Sequence, residues 1–149
     1  MRVSVIGGGV IDRETAATAR EVGRELADRD HTVVCGGLGG VMEAVCEGAA
    51  EAGGDTIGIV PGPDREAANE YVDTAVATAM GNARNVLVVL NGDAAIAIDG
   101  STGTLSEIGH ALDFDRPVAG LDTHDIEGVA AVDSAAAAVD HVESAVGER

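Results

Sequence analysis

The stretch AAIAIDGSTGTLSEIGHAL, Ala94 to Leu112, decides the fold. Ala94–Ile98 is a short unbroken apolar run, the pattern of a strand buried on both faces. Asp99–Thr104 then packs two glycines and three hydroxyl residues into one junction, and TGTLSEIGHALDF reads as a helix. A strand that passes through a glycine turn into a helix is the working half of a βαβ unit. The same stretch poses the functional question. Either Glu107 does chemistry beside that turn, or it only complements the positive end of a helix as a capping-box glutamate does.

The rest of the chain repeats the alternation. Arg2–Gly7 is a strand ending in glycines. The segment from Asp12 to Asp30 has helical periodicity, with Ala16, Ala19, Val22, Gly23 and Leu26 on one face. His31–Cys35 is a second strand closed by GGLGG, and VMEAVCEGAAEAG is a second helix stopped by Gly53-Gly54. Thr56–Val60 is a third strand, Pro61–Asn69 a loop, and Tyr71–Ala75 a short extended piece. GNARNVLVVLNG, Gly81 to Gly92, reads as one helix despite its valines. Pro117–Leu121 is a further strand, Leu121–Gly128 a rim or cap, and Asp133–Gly147 a closing helix. Strands alternating with helices build a mostly parallel, doubly wound α/β sheet with helices on both faces, Rossmann-like in type. Residues 1–149 are expected to form a single domain of this kind.

Composition limits what the chain can do. It is 149 residues long, 46% hydrophobic and only 1% aromatic, so its core is built of Ala, Val, Ile and Leu. Asp and Glu number 26 against 9 bases, a formal net charge of −17, and every base is an arginine. Such a charge repels nucleic acid and anionic membranes. An acidic, lysine-free chain fits a very salty cytoplasm, where a Debye length of roughly 3 Å at 1 M salt makes self-repulsion tolerable. Met1-Arg2 runs straight into a strand with no signal-peptide pattern, and no apolar run reaches the length of a membrane span. Cys35 and Cys46 lack metal-type spacing and read as reduced thiols, so a cytoplasmic location is expected. Without lysine, pyridoxal-phosphate and imine chemistry and a Walker-type phosphate loop are all excluded.

Ligands of doubly wound folds bind beyond the carboxyl ends of the strands. Three glycine-rich turns fall there, which makes Gly8, Gly9, Gly36, Gly37, Gly39, Gly40, Gly100, Ser101, Thr102, Gly103 and Thr104 the binding candidates. Glycine allows close backbone approach, and the helix start supplies free N–H groups suited to phosphate. A nicotinamide dinucleotide is disfavoured. GGGVID puts Asp12 where the fingerprint needs its third glycine, and the second strand ends in Val34-Cys35 without an acid. Glu107 and His110 are an i, i+3 pair, but no second pair exists to complete a metal site. Cys35 reads as a small strand-end residue, although a thiolate at a helix start is the alternative. His31, His124 and His141 read as surface residues.

CGGLGGVMEAVCEGA, GNARN and DGSTGTLSE, in that order, resemble the Lonely Guy (LOG)-like superfamily, whose members are often mislabelled lysine decarboxylases. The likeness runs roughly from Val3 to Leu121. The family signature is P-G-G-x-G-T-x-x-E with an upstream arginine. Asp99 and Ser101 replace two of its positions, and Arg84 stands 23 residues before Glu107, the spacing the family uses. The resemblance implies that Arg84 and Glu107 sit at a glycosidic bond. Glu107 would stabilise an oxocarbenium-like ribose or position water, and Arg84 would orient Glu107 and keep it ionised. It also implies that Thr102, Thr104 and the N–H groups after Gly103 hold a 5′-phosphate, and that the chain is a homo-oligomer, a dimer or tetramer. Asn85, where the hydrolases usually carry lysine, makes the chain more similar to a branch of small relatives near the molybdenum cofactor carrier protein. Asp99 would set a carboxylate beside the phosphate. The expected function is therefore binding of an AMP-like nucleotide or a molybdopterin-type cofactor, possession of no metal site of its own, and a carrier role. The alternative is a nucleoside 5′-monophosphate phosphoribohydrolase.

Overall fold

The computed structural model describes residues 1–149. Seven strands form one sheet in the order β4-β3-β2-β1-β5-β6-β7, and every neighbouring pair is parallel. They are β1 (Arg2–Gly7), β2 (Thr32–Cys35), β3 (Thr56–Val60), β4 (Thr74–Ala77), β5 (Ala94–Ile98), β6 (Val118–Leu121) and β7 (Val129–Val132). The helices are α1 (Arg13–Asp28), α2 (Val41–Glu51), α3 (Asn85–Leu90), α4 (Thr102–Asp113) and α5 (Ala135–Gly147). The strand order reverses beside β1, which pairs with β2 on one side and β5 on the other. That reversal opens the crevice in which such folds bind ligands.

Side chains alternate across the sheet, as the two-residue period of a strand requires. Val3, Val5, Val33, Cys35, Ile96 and Ile98 join Val22, Leu26, Val45 and Val139 in a core under α1, α2 and α5. Ile6, Val34, Ile59, Ala95 and Ala97 meet Val88, Val89 and Ile108 of α3 and α4 in a second core. Helix starts are fixed by side chains. Asp12 accepts from the Thr15 N–H at 2.8 Å and Ser134 from the Ala137 N–H at 3.1 Å. No helix is long and apolar enough to cross a membrane.

Three segments depart from the sequence expectation. Gly81–Asn91 is not one helix: a 3-10 turn over Gly81–Arg84 precedes a short α3. The tight turn sends the Arg84 side chain inward, where its Nε donates to the Ile59 carbonyl at 2.9 Å. The extended piece near Tyr71 becomes strand only at Thr74. Before that, the chain is tied down by Thr56, whose hydroxyl donates to the Tyr71 carbonyl at 2.7 Å and whose N–H donates to Asp73. Val129–Val132 adds an edge strand that was not expected, because VAAV is too short to show periodicity. His31 is also no free surface residue. Its ring lies 2.6 Å from Glu143, in a network where Arg29 bridges Glu25, Asp140 and Glu143 and so ties α1 to α5. Those partners hold the Glu143 carboxyl below its usual range, the His31 hydrogen bond most of all.

Candidate functional site

The site follows from how β5 ends. Asp99 turns with φ 53° and Gly100 with φ 113°, and the chain enters α4 at Ser101. Gly100 is obligatory, since a Cβ there would sit 2.4 Å from the Thr104 side chain. The Ser101 side chain makes no capping bond, so the first N–H groups of α4 remain free. The Leu121–Gly128 segment does brace this turn: the Thr123 hydroxyl donates to the Asp99 carbonyl at 2.7 Å, and the His124 ring lies 3.0 Å from the Ser101 carbonyl.

These free donors open onto a cavity of about 210 Å³, lined by Gly7–Gly9, Gly36, Met42, Asn82, Arg84, Asn85, Ser101, Gly103, Thr104 and Glu107. Of the sequence candidates, Gly8, Gly9, Gly36, Ser101, Gly103, Thr104, Arg84 and Glu107 therefore come together. Gly37, Gly39, Gly40, Gly100 and Thr102 do not line the cavity, and their roles differ. Gly40 (φ 65°) packs so tightly on the first turn that a Cβ would meet the Gly8 carbonyl at 2.2 Å, while Thr102 points to solvent. Met42 and Asn82 were not among the candidates, and Asn85, noted in the sequence only as a departure from the hydrolase pattern, joins them in the lining. Met42 looked like an ordinary helix residue, and only the fold brings it under Gly36.

Arg84 and Glu107 are both buried, yet they make no ion pair. No direct contact between the two is formed, and they act on each other only through their charges. The Arg84 guanidinium is spent on the Ile59 carbonyl, on the Gly36 carbonyl at 3.4 Å and on Asn85 Oδ1. Burial lowers the Arg84 pKa more than the nearby Glu107 charge restores it. Glu107, 9% exposed, has no hydrogen-bond partner inside the chain. Burial pushes its carboxyl up to about 7, while the nearby Arg84 charge pulls the other way, toward the ionised form, without cancelling the shift. Because Asn85 Oδ1 accepts from Arg84, its amide NH2 must turn the other way. A Cβ on Gly103 would lie 3.9 Å from that nitrogen, at the start of α4.

A second cavity, about 410 Å³, lies on the opposite side of the first turn. Asp12, Glu14, Asp99, Asp122 and Asp133 line it with no base among them. Asp99 lines this cavity and not the Arg84–Glu107 one, but its carboxylate stays close to the smaller cavity's wall: a Cβ on Gly8 would stand 3.4 Å from its Oδ2. The larger cavity repels anions; the smaller one carries the donors. No group of three or more His, Cys, Asp or Glu side chains is arranged to hold a metal, and His110 instead stacks on Phe114 with ring centroids 6.3 Å apart.

A family model matches residues 1–146, nearly the whole chain. The chain belongs to the SLOG cluster4 family. This agrees with the likeness carried by the glycine motifs. An uncharacterized protein of Archaeoglobus fulgidus is 44% identical over 121 residues, covering 81% of this chain and 80% of that one. Among solved structures, the molybdenum cofactor binding protein of Rippkaea orientalis superposes with a TM-score of 0.91 at 31% identity, covering 96% of this chain and 95% of that one. The molybdenum cofactor carrier protein of Chlamydomonas reinhardtii gives 0.90 at 29% identity, with 98% of each chain covered. The SLOG chain thus shares its Rossmann-like fold, end to end, with proteins named for that cofactor.

Proposed function

We propose that this SLOG chain binds the phosphorylated end of a small molecule, a nucleoside monophosphate or a molybdopterin-type cofactor, and carries it without cleaving it. The observation that carries this reading is the free α4 N-terminus with Thr104 and Ser101, opening on a cavity that excludes every aspartate. The nearly complete likeness to molybdenum cofactor binding and carrier proteins supports the choice of a carrier. A cavity of about 210 Å³ falls short of the roughly 300–1,000 Å³ that enclose drug-sized ligands, so it takes the phosphate and its neighbour and leaves the rest outside. Ser101, Thr104 and the α4 amides would hold the phosphate of a molybdopterin-type group, and Asn85 would add a donor. A Glu107 carboxyl pushed up to about 7 favours this reading, since at neutral pH it opposes an anionic guest less than a fully ionised carboxylate would.

Hydrolysis is the second reading, favoured by Glu107 standing three residues, about 4.5 Å of rise and just under one turn, beyond Thr104. A phosphate held at Thr104 would bring the attached sugar to that carboxyl. One experiment at molar salt separates the readings. AMP is titrated calorimetrically into the protein and into Thr104→Val, and the mixtures are then assayed for free adenine. Carriage predicts measurable binding, weakened by about 1–3 kcal/mol in the variant, and no adenine. Sustained adenine release that needs Glu107 would establish the hydrolase, and equal affinity for the variant would move the phosphate elsewhere.

A further inference from the structure

We propose that Cys35 and Cys46 are a reactive dithiol that closes to a disulfide when a peroxide reaches it. Cys35 ends β2, and Cys46 lies in the middle of α2 above it. The two Sγ atoms are 3.5 Å apart, and both side chains are wholly buried. Closing the bond requires the sulfurs to approach by roughly 1.5 Å, a movement within reach of a helix packed on a strand.

The surroundings give the two thiols different parts. Cys35 Sγ accepts the Gly37 N–H at 3.4 Å and lies 4.0 Å from the Met42 carbonyl, to which its S–H can donate; with Cys46 as donor to Cys35, the thiol proton sits on Cys46. The hydrogen bond from Cys46 lowers the Cys35 pKa, with help from Gly37 and the Arg84 charge, against the effect of burial. The same hydrogen bond and its own burial raise Cys46. Cys35 is therefore the thiolate that attacks, and Cys46 the thiol that resolves. In the first step the Cys35 thiolate attacks one oxygen of the peroxide. An S–O bond forms, the O–O bond breaks, and the leaving alkoxide or hydroxide takes a proton. In the second step the Cys46 sulfur attacks the Cys35 sulfenic acid. The S–S bond forms, hydroxide leaves, and the Cys46 proton completes a water molecule. Two thiols are oxidised by two electrons, and one peroxide is reduced.

Gly36, next to Cys35 in the chain, and Met42 wall the ligand cavity and abut each other, since a Cβ on Gly36 would stand 2.6 Å from Met42 Sδ; peroxide reaches the buried pair only where that contact opens. The consequence runs the other way. Oxidation ties Cys35 to Cys46 and so displaces the neighbouring Gly36, whose carbonyl accepts from Arg84. The state of the dithiol is thus felt at the ligand cavity, but its existence does not rest on the ligand proposed above.

The test uses the full chain, reduced, in molar salt. Hydrogen peroxide is added in small excess, and the mixture is quenched with N-ethylmaleimide in denaturant and weighed intact. The expected product is a monomer lighter by two hydrogens, free of maleimide, and restored by dithiothreitol. In Cys46→Ser the reaction should stop at a Cys35 sulfenic acid that dimedone captures. In Cys35→Ser, Cys46 should oxidise more slowly by about tenfold or more. Two maleimide adducts on peroxide-treated wild type would overturn the proposal without recourse to any variant. So would a disulfide found only between chains, or equal dimedone capture in both variants.

Discussion

Glu107 shows how far a single residue can be read. Its place in a family-type motif was visible in sequence, and so was its spacing from Arg84. Its charge state was not, because that depends on how much of the carboxyl α4 buries and on what Arg84 binds instead. The consequence is measurable. A carboxyl held at about 7 in the fold and near 4.5 when unfolded favours the folded protonated form. Below pH 4.5 both states are protonated and nothing is lost. As pH rises toward 7 the unfolded chain ionises first, so stability falls, and above 7 the loss reaches roughly 3 kcal/mol. Glu107→Gln should therefore match wild type in thermal unfolding at pH 4 and exceed it at pH 8, both in molar salt. A difference independent of pH would refute the buried carboxyl. Asn85 offers a second test. Asn85→Asp keeps the acceptor for Arg84 but turns a carboxylate oxygen toward the start of α4. AMP affinity should fall by about 1–3 kcal/mol, and an unchanged affinity would remove Asn85 from the anion site.

Among the elements, those with a long period or a capped start were legible. The helix before β2 announces itself by its apolar stripe and Asp12, and β5 by its unbroken run. What failed were short pieces decided by tertiary contacts: the 3-10 turn that delivers Arg84, the onset of β4, and β7 against β6. Glycine inside helices was the subtlest signal. Gly23 of α1 and Gly48 of α2 let the helices touch backbone to backbone; a Cβ on Gly48 would lie 1.9 Å from the Arg20 carbonyl oxygen, and one on Gly23 2.0 Å from that of Val45. Gly48→Ala must force the pair apart and should destabilise by about 1–3 kcal/mol, overriding the gain in helix propensity. Gly109→Ala is the control, because nothing lies within 4 Å of a Cβ there. That variant should be neutral or gain up to about 1 kcal/mol in denaturant unfolding. If the two variants behave alike, the contact between α1 and α2 is not as close as described.

Over the whole molecule, the acidic surface and the uneven cover of the sheet point to the same face. Three helices, of 16, 11 and 13 residues, cover one side of seven strands, whereas the other carries only two, α3 of 6 residues and α4 of 12. Beyond α3 the faces of β3 and β4 lie open, in a groove walled by Ile57, Val76, Leu87 and Arg2 without a carboxylate. Val76 in that groove is 42% exposed, and Leu90 at the end of α3 is 44% exposed. A chain with net charge −17 repels a copy of itself over most of its surface, and a groove whose own walls carry no carboxylate is where that repulsion is weaker. A second copy seated there would use the same patch on both subunits, as two-fold dimers do. Light scattering should therefore give a dimer or larger multiple at molar salt and drift toward the monomer as salt is withdrawn and the Debye length grows. Val76→Glu combined with Leu90→Glu places like charges on both sides of the contact and should yield monomers at every salt concentration, with the fold intact by circular dichroism. A wild-type monomer at molar salt would show that this face meets water, and an oligomer untouched by the two glutamates would put the interface somewhere else.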